Sequence, residues 1–279
     1  MSRNKKRLKG HKPEPTQPPV QLNPLSFVAP TEFVELPSGG EFYPEKHPLH
    51  RKDTIEIRYM TAKDEDILTS QTLLKKGIAI DRFIENVMID KTIKADDLLI
   101  GDKNAIVIAA RVSGYGAEYE AVLECPACST KNRLSFDLGN PTIIKSEVHE
   151  KLNVTKNPTG TYSVKLPKTQ YTVEIKLLTG ADENYLSQHM TSNRKNKLPE
   201  DAFTAHFKRL LVSIEGHKDR EILNAFAENM PAIDSRHLRV VNKLITPNIE
   251  IKETLTCKNC EHSEEVDVPF GADFFWPKQ

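Results

Sequence analysis

Two short motifs, Cys125-Pro126-Ala127-Cys128 and Cys257-Lys258-Asn259-Cys260, hold all four cysteines of the chain and constrain its fold more than any other feature. Two residues between thiolates let both sulfurs turn inward on one tight knuckle, which supplies half of a tetrahedral four-sulfur shell. A second knuckle completes it. The 128 residues between Cys128 and Cys257 far exceed the loop of an ordinary zinc ribbon, so a shared site requires two distant parts of the chain to meet. Other uses of the thiols compete with this one. A redox pair needs a helix N-terminus, whose dipole lowers a thiol pKa, whereas Arg133-Leu134-Ser135-Phe136 after the first motif reads as a strand. Disulfides belong to secreted chains, and bare thiols are the third reading. Ligand type and spacing favour one structural zinc ion bound by Cys125, Cys128, Cys257 and Cys260. A closed shell of four sulfurs has no open position for a catalytic water, so it serves folding and not hydrolysis. His262, just beyond Cys260, is expected on a solvated hairpin.

The surroundings of the motifs repeat as well. Thr54 to Met60 alternates apolar and charged residues as a half-buried strand does. Thr61 with Asp64 three residues later is a capping signal for a helix through about Ser70. Helical stripes follow over Ile78 to Met88 and Asp102 to Val112, with Gly114 and Gly116 as stops. Strands at Tyr119 to Leu123 and Arg133 to Leu138 flank the first motif. In the second half, strands at Tyr162 to Leu166 and Tyr171 to Leu177 precede the same cap signal, Thr179 with Asp182, into a helix to about Ser192. Helices over Pro199 to Glu215, Glu221 to Asn229 and Asp234 to Leu244 come next. Strands at Glu250 to Thr256 and Glu265 to Phe270 flank the second motif. The cap threonines stand 118 residues apart and the motifs 132, which indicates a duplication whose second copy has a longer helical block. The expected fold is α+β: two repeated strand-helices-strand modules, at 31–140 and 141–279, joined by a four-cysteine element resembling a zinc ribbon.

Charge narrows the function classes. The 39 basic and 39 acidic residues balance, but residues 1–13 hold six bases and no acid, which leaves the body mildly acidic. A nucleic-acid reader carries its basic patch on the folded domain, so here only the arm could take that part. Residues 1–30, basic and then proline-rich, read as a disordered arm: a solubilising tail, a docking strand or a nucleic-acid contact. Neither a membrane-spanning run nor a secretory signal is expected. The acidic clusters Asp64-Glu65-Asp66, Asp96-Asp97 and Asp182-Glu183 read as helix N-terminal charge favoured by the macrodipole, and His47 and His50 as loop residues. No phosphate-binding loop, nucleophile elbow or zinc-protease motif occurs, so no enzyme and no small-molecule substrate is expected. Phe274, Phe275 and Trp276, the last being the only tryptophan, either cap the core or anchor a partner.

Several runs in the first half are long and unusual together: Leu36-Pro37-Ser38-Gly39-Gly40, Arg58-Tyr59-Met60-Thr61-Ala62-Lys63, Leu74-Lys75-Lys76-Gly77, Leu98 to Ala105, and Ser113-Gly114-Tyr115-Gly116. They resemble the baseplate hub protein family of T-even-type contractile-tailed phages, over about the segment from Leu36 to Leu138. The resemblance implies a structural or assembly component of the tail baseplate hub. Its partners would be other hub or tail proteins, and its place the host cytoplasm during assembly or the virion tail. The competing class is a zinc-ribbon nucleic-acid-binding protein that uses the basic arm.

Overall fold

The computed structural model describes residues 29–147, 152–269 and 272–275. The expected arm, apart from Ala29 and Pro30, lies outside these residues, as does Trp276. The first half runs β1 (Thr31–Glu35), β2 (Thr54–Arg58), α1 (Ala62–Thr69), α2 (Gln71–Lys76), α3 (Ala79–Val87), a 3-10 turn (Ala95–Asp97), α4 (Ile100–Tyr115), β3 (Glu118–Glu124), β4 (Lys131–Asp137) and β5 (Thr142–Ile144). The second runs β6 (Val154–Lys156), β7 (Tyr162–Lys165), β8 (Thr172–Ile175), α5 (Gly180–Lys195), α6 (Ala202–Leu210), β9 (Leu211–Ile214), α7 (Arg220–Asn229) and α8 (Ala232–Ile245). It closes with β10 (Asn248–Glu250), β11 (Lys252–Thr256), β12 (Ser263–Asp267) and a 3-10 turn (Ala272–Phe275). All strand pairs are antiparallel: β1 with β2, β3 with β4, β5 with β10, β11 with β12, and a sheet in the order β6-β7-β8-β9. Helices mixed with several small sheets make the fold α+β.

Both helix starts read from Thr-x-x-Asp form as capping boxes, and the aspartate of each does more than cap. Asp64 is fully buried; its carboxylate takes two hydrogen bonds from the Arg58 guanidinium, at 2.7 and 2.9 Å, and one from Asn86 at 2.6 Å. Asp182, equally buried, is held by Lys176 at 2.6 Å and by Arg209 Nε at 2.8 Å. Burial pushes both carboxyls up, but the hydrogen bonds from Arg58 and Thr61, and those from Lys176 and Thr179, leave each below the usual range. A lowered folded-state pKa stabilises the fold above the unfolded value and loses that contribution as pH falls through it. Asp182→Ala should therefore cost roughly 3 kcal/mol at neutral pH, because it leaves Lys176 and Arg209 without their anion. The penalty should shrink below about pH 4, where the wild-type carboxyl takes up its proton. Urea melts of both proteins at pH 7 and pH 3 check this.

α4 is the spine. Ala105, Ile106, Val107, Ile108 and Ala110 are buried on every side of it, and it packs against α3, α5, β1, β2 and β10. It starts and ends outside the span Asp102 to Val112 read from its apolar stripe. Gly114 does not stop it; the helix passes through, with the Met60 side chain 2.8 Å from where a Cβ would stand. Gly116, at φ +84°, is the stop. The expected helix from Pro199 to Glu215 is likewise corrected: α6 ends at Leu210, and Leu211-Val212-Ser213-Ile214 turns extended to pair with β8 as β9.

One continuous hydrophobic core contains residues of both halves. Where they meet, the Gly180 amide donates to Leu98 O at 2.8 Å and the Ile100 amide to Leu178 O at 3.3 Å, with a bridge at Leu99 and Thr179. These bonds join the start of α4 to the start of α5. β5, which follows the expected boundary at residue 140, crosses to pair with β10.

Candidate metal centre

Each cysteine motif sits at the tip of an antiparallel hairpin, β3-β4 for the first and β11-β12 for the second. The turns are built alike. The Cys125 amide donates to Thr130 O at 2.9 Å and the Ser129 amide returns to Cys125 O at 2.8 Å; Cys257 with His262, and Glu261 with Cys257, do the same at 2.8 and 3.1 Å. Ser129 and Glu261 both take positive φ, 58° and 57°, which closes each knuckle. β4 and β11 pack side by side, so the hairpins bring the tips together.

The four Sγ atoms lie within 4.8 Å of one another. Across the two knuckles Cys125 stands 3.7 Å from Cys260, and Cys128 3.6 Å from Cys257. Four sulfurs at about 2.3 Å from a central zinc would be separated by about 3.8 Å along the edges of the tetrahedron. A disulfide would need about 2.05 Å, and all four cysteines are free. The donor set and its size therefore fit one tetrahedral thiophilic ion. Asn132 ties the knuckles further: its side chain reaches Cys257 Sγ at 3.7 Å and accepts from the Lys258 amide at 3.1 Å. The thiols share protons unevenly. Hydrogen bonds from Thr130 draw Cys128 down to about 5, and the amides of Asn259 and Cys260 lower Cys257. Cys260 rises to about 12, the His262 amide being outweighed by Cys128. Crowded like charges produce this split. Cys125 and Cys257 are buried, Cys260 is exposed, and His262 stays outside the sulfur cluster.

The other residues singled out from sequence fall elsewhere. Asp96 and Asp97 lie in the 3-10 turn before α4. His47 stacks on Tyr43 at 4.5 Å, and His50 Nδ1 lies 2.7 Å from Tyr43 O, so both organise their loop. Phe274 and Phe275 are 1% and 4% exposed. Phe274 meets Tyr119 edge-on at 5.1 Å and Phe275 meets Phe83 at 5.0 Å, so the two rings belong to the core of the chain and are not free as partner anchors. Arg111, 1% exposed, fastens this C-terminal turn. Its guanidinium donates to Phe274 O at 2.8 Å, to Gly116 O at 2.8 Å and to Glu118 O at 3.3 Å.

Two buried aspartates escaped sequence reading. Asp102 accepts from the Ser38 amide and hydroxyl at 3.0 and 2.6 Å and from the Tyr43 hydroxyl at 2.8 Å. Asp234 accepts from the amides of Lys168 and Thr169 at 2.7 and 3.0 Å. Each holds the turn after a Leu-Pro pair, Leu36-Pro37 and Leu166-Pro167, and the aspartates stand 132 residues apart like the cysteine motifs. That shared offset was the available signal.

Among the described residues no helix is long and apolar enough to cross a membrane. Comparison with curated proteins and with solved structures returns no match. A family model described as T4 bacteriophage base plate protein matches residues 29–276, which spans both halves and both cysteine motifs. The chain thus belongs to the T4 bacteriophage base plate protein family, as a component of the phage tail baseplate.

Proposed function

We propose that the protein is a non-catalytic component of the baseplate hub, clamped by one zinc ion and acting through contacts with other tail proteins. The observation that carries the reading is the sulfur cluster: ligands 128 residues apart in sequence converge with the spacing of a closed zinc shell. Zinc bound there would supply folding energy, while Asn132, Thr130 and the knuckle amides hold the thiolates in place. The chain would be two copies of one module, at 31–140 and 141–279. The paired capping boxes, the two Leu-Pro turns held by Asp102 and Asp234, and the matched knuckles support this. Two modules related by a pseudo-twofold axis through the metal make a rigid body suited to assembly.

The test is a pull-down with the tagged chain from phage-infected host cells, followed by mass spectrometry of purified virions. Baseplate hub proteins should be retrieved, and the chain should be found in the virion tail if it remains there. Retrieval of no tail protein would overturn the assembly role. Nucleic-acid binding that weakens with salt and disappears on deleting residues 1–13 would favour the competing class instead.

A further inference from the structure

The edge of β1 is unpaired among the described residues, while the edge of β7, at the matching place in the other half, carries β6. The phase of each ladder shows which amides face outward. In the first half the Tyr59 amide donates to Pro30 O at 2.8 Å and the Leu36 amide to Asp53 O at 2.7 Å, so Glu32 and Val34 turn their backbone toward β2. Thr31, Phe33 and Glu35 turn theirs away. In the second half the Leu166 amide bonds Tyr171 O, while the Lys165 amide bonds Asn153 O and Thr161 O accepts from the Asn157 amide, so Thr161, Ser163 and Lys165 face β6. Counting back from Leu36-Pro37 and Leu166-Pro167 aligns Thr31, Phe33 and Glu35 with those three residues.

We propose that the β1 edge receives an extended basic strand of another baseplate protein, by strand addition. The inference rests on the assembly role proposed above. β6 supplies the template: Val154 lies opposite Val164, Thr155 opposite Ser163 and Lys156 opposite Tyr162. Transferred to β1, the incoming strand places an apolar residue opposite Val34, a β-branched one over Phe33 and a base opposite Glu32. Both sides of the contact call for this chemistry. Phe33 is 71% exposed, with Glu56 directly across from it on β2. Glu32 Oε1 is buried with no hydrogen-bond partner among the described residues, a costly state that a lysine or arginine would relieve. The nearest segment of the chain itself, residues 20–28, contains proline but no base.

Amide hydrogen exchange of the full chain by NMR tests the edge. Thr31, Phe33 and Glu35 should exchange fast while Glu32, Val34 and Leu36 are protected. A peptide copying residues 152–157 should slow the three edge amides, and its version with glutamate for lysine should bind on the order of tenfold more weakly at low salt. Phe33→Pro removes only an outward amide and keeps the β1-β2 ladder, so it should abolish peptide binding with no loss of fold. Edge amides already protected in the dilute free chain would assign the edge to the chain's own segment. Protection that grows with protein concentration would assign it to a second copy. Either result overturns the proposal, as does equal binding of the two peptides. A baseplate complex that forms equally well with Phe33→Pro would overturn the edge and leave the assembly role standing.

Discussion

Cys125→Ser is expected to unfasten both halves of the chain at once. Cys125 is 1% exposed and faces Cys260, from the other knuckle, across 3.7 Å. If one ion takes two ligands from each half, losing any ligand weakens a bond that both halves share. Structural zinc is worth on the order of 10 kcal/mol in small domains, so losing one of four thiolates should cost about 5 kcal/mol and lower the melting temperature by roughly 10–15 °C. Limited proteolysis should then open sites before residue 140 and after it together. Elemental analysis of the wild-type chain should give one zinc, and a strong chelator should reproduce the effect of the substitution. Cys125→His should recover part of the loss, since imidazole is also a zinc ligand. Two zinc ions per chain, or a second half as protease-resistant as before, would end the shared-site model.

The meeting of the knuckles was legible because thiolates at that spacing have few alternatives, and because the flanking strands repeat. The capping boxes were legible for the same reason: Thr61 with Asp64 and Thr179 with Asp182 carry their function in their residue types. What stayed hidden depends on backbone groups or on context. Asp102 and Asp234 bind amides of Ser38, Lys168 and Thr169, and every residue but proline has an amide, so no residue type marks the partner. β5, β6 and β10 have three residues each, too short for alternation to register. β9 continues the apolar run of α6 without a breaker, and only its pairing with β8 makes it a strand. The aromatic C-terminus was ambiguous for a different reason. A phenylalanine carries no label for inside or outside, and the burial of Phe274 and Phe275 depends on Tyr119, Phe83 and Arg111 more than 150 residues earlier in the chain.

Gly101→Ala should be the most damaging glycine substitution in the described chain. A Cβ at Gly101 would stand 2.0 Å from Pro247 O, 2.8 Å from Pro247 C and 2.9 Å from Asn248 Cα. All three are backbone atoms, so no rotamer can move aside; either α4 or the strand it touches must shift. That strand is β10, which pairs with β5 and leads directly into β11 and Cys257. On the other side, α4 carries Asp102, which holds the Ser38 turn, and Lys103, ion-paired with Asp81 and Glu183 at 2.7 Å each. Overpacking against backbone should cost roughly 3 kcal/mol, lowering the melting temperature by about 6–12 °C. Zinc should also leave faster to a chelator, because β10 positions the second knuckle. Gly116→Ala is the control: its φ of +84° strains any side chain, yet nothing lies within 4 Å of the added Cβ. It should cost only about 1 kcal/mol and leave zinc retention unchanged. Equal melting temperatures for the two variants would mean that the contact of α4 with β10 yields easily. The rigidity of the clamp would then have to come from the metal alone.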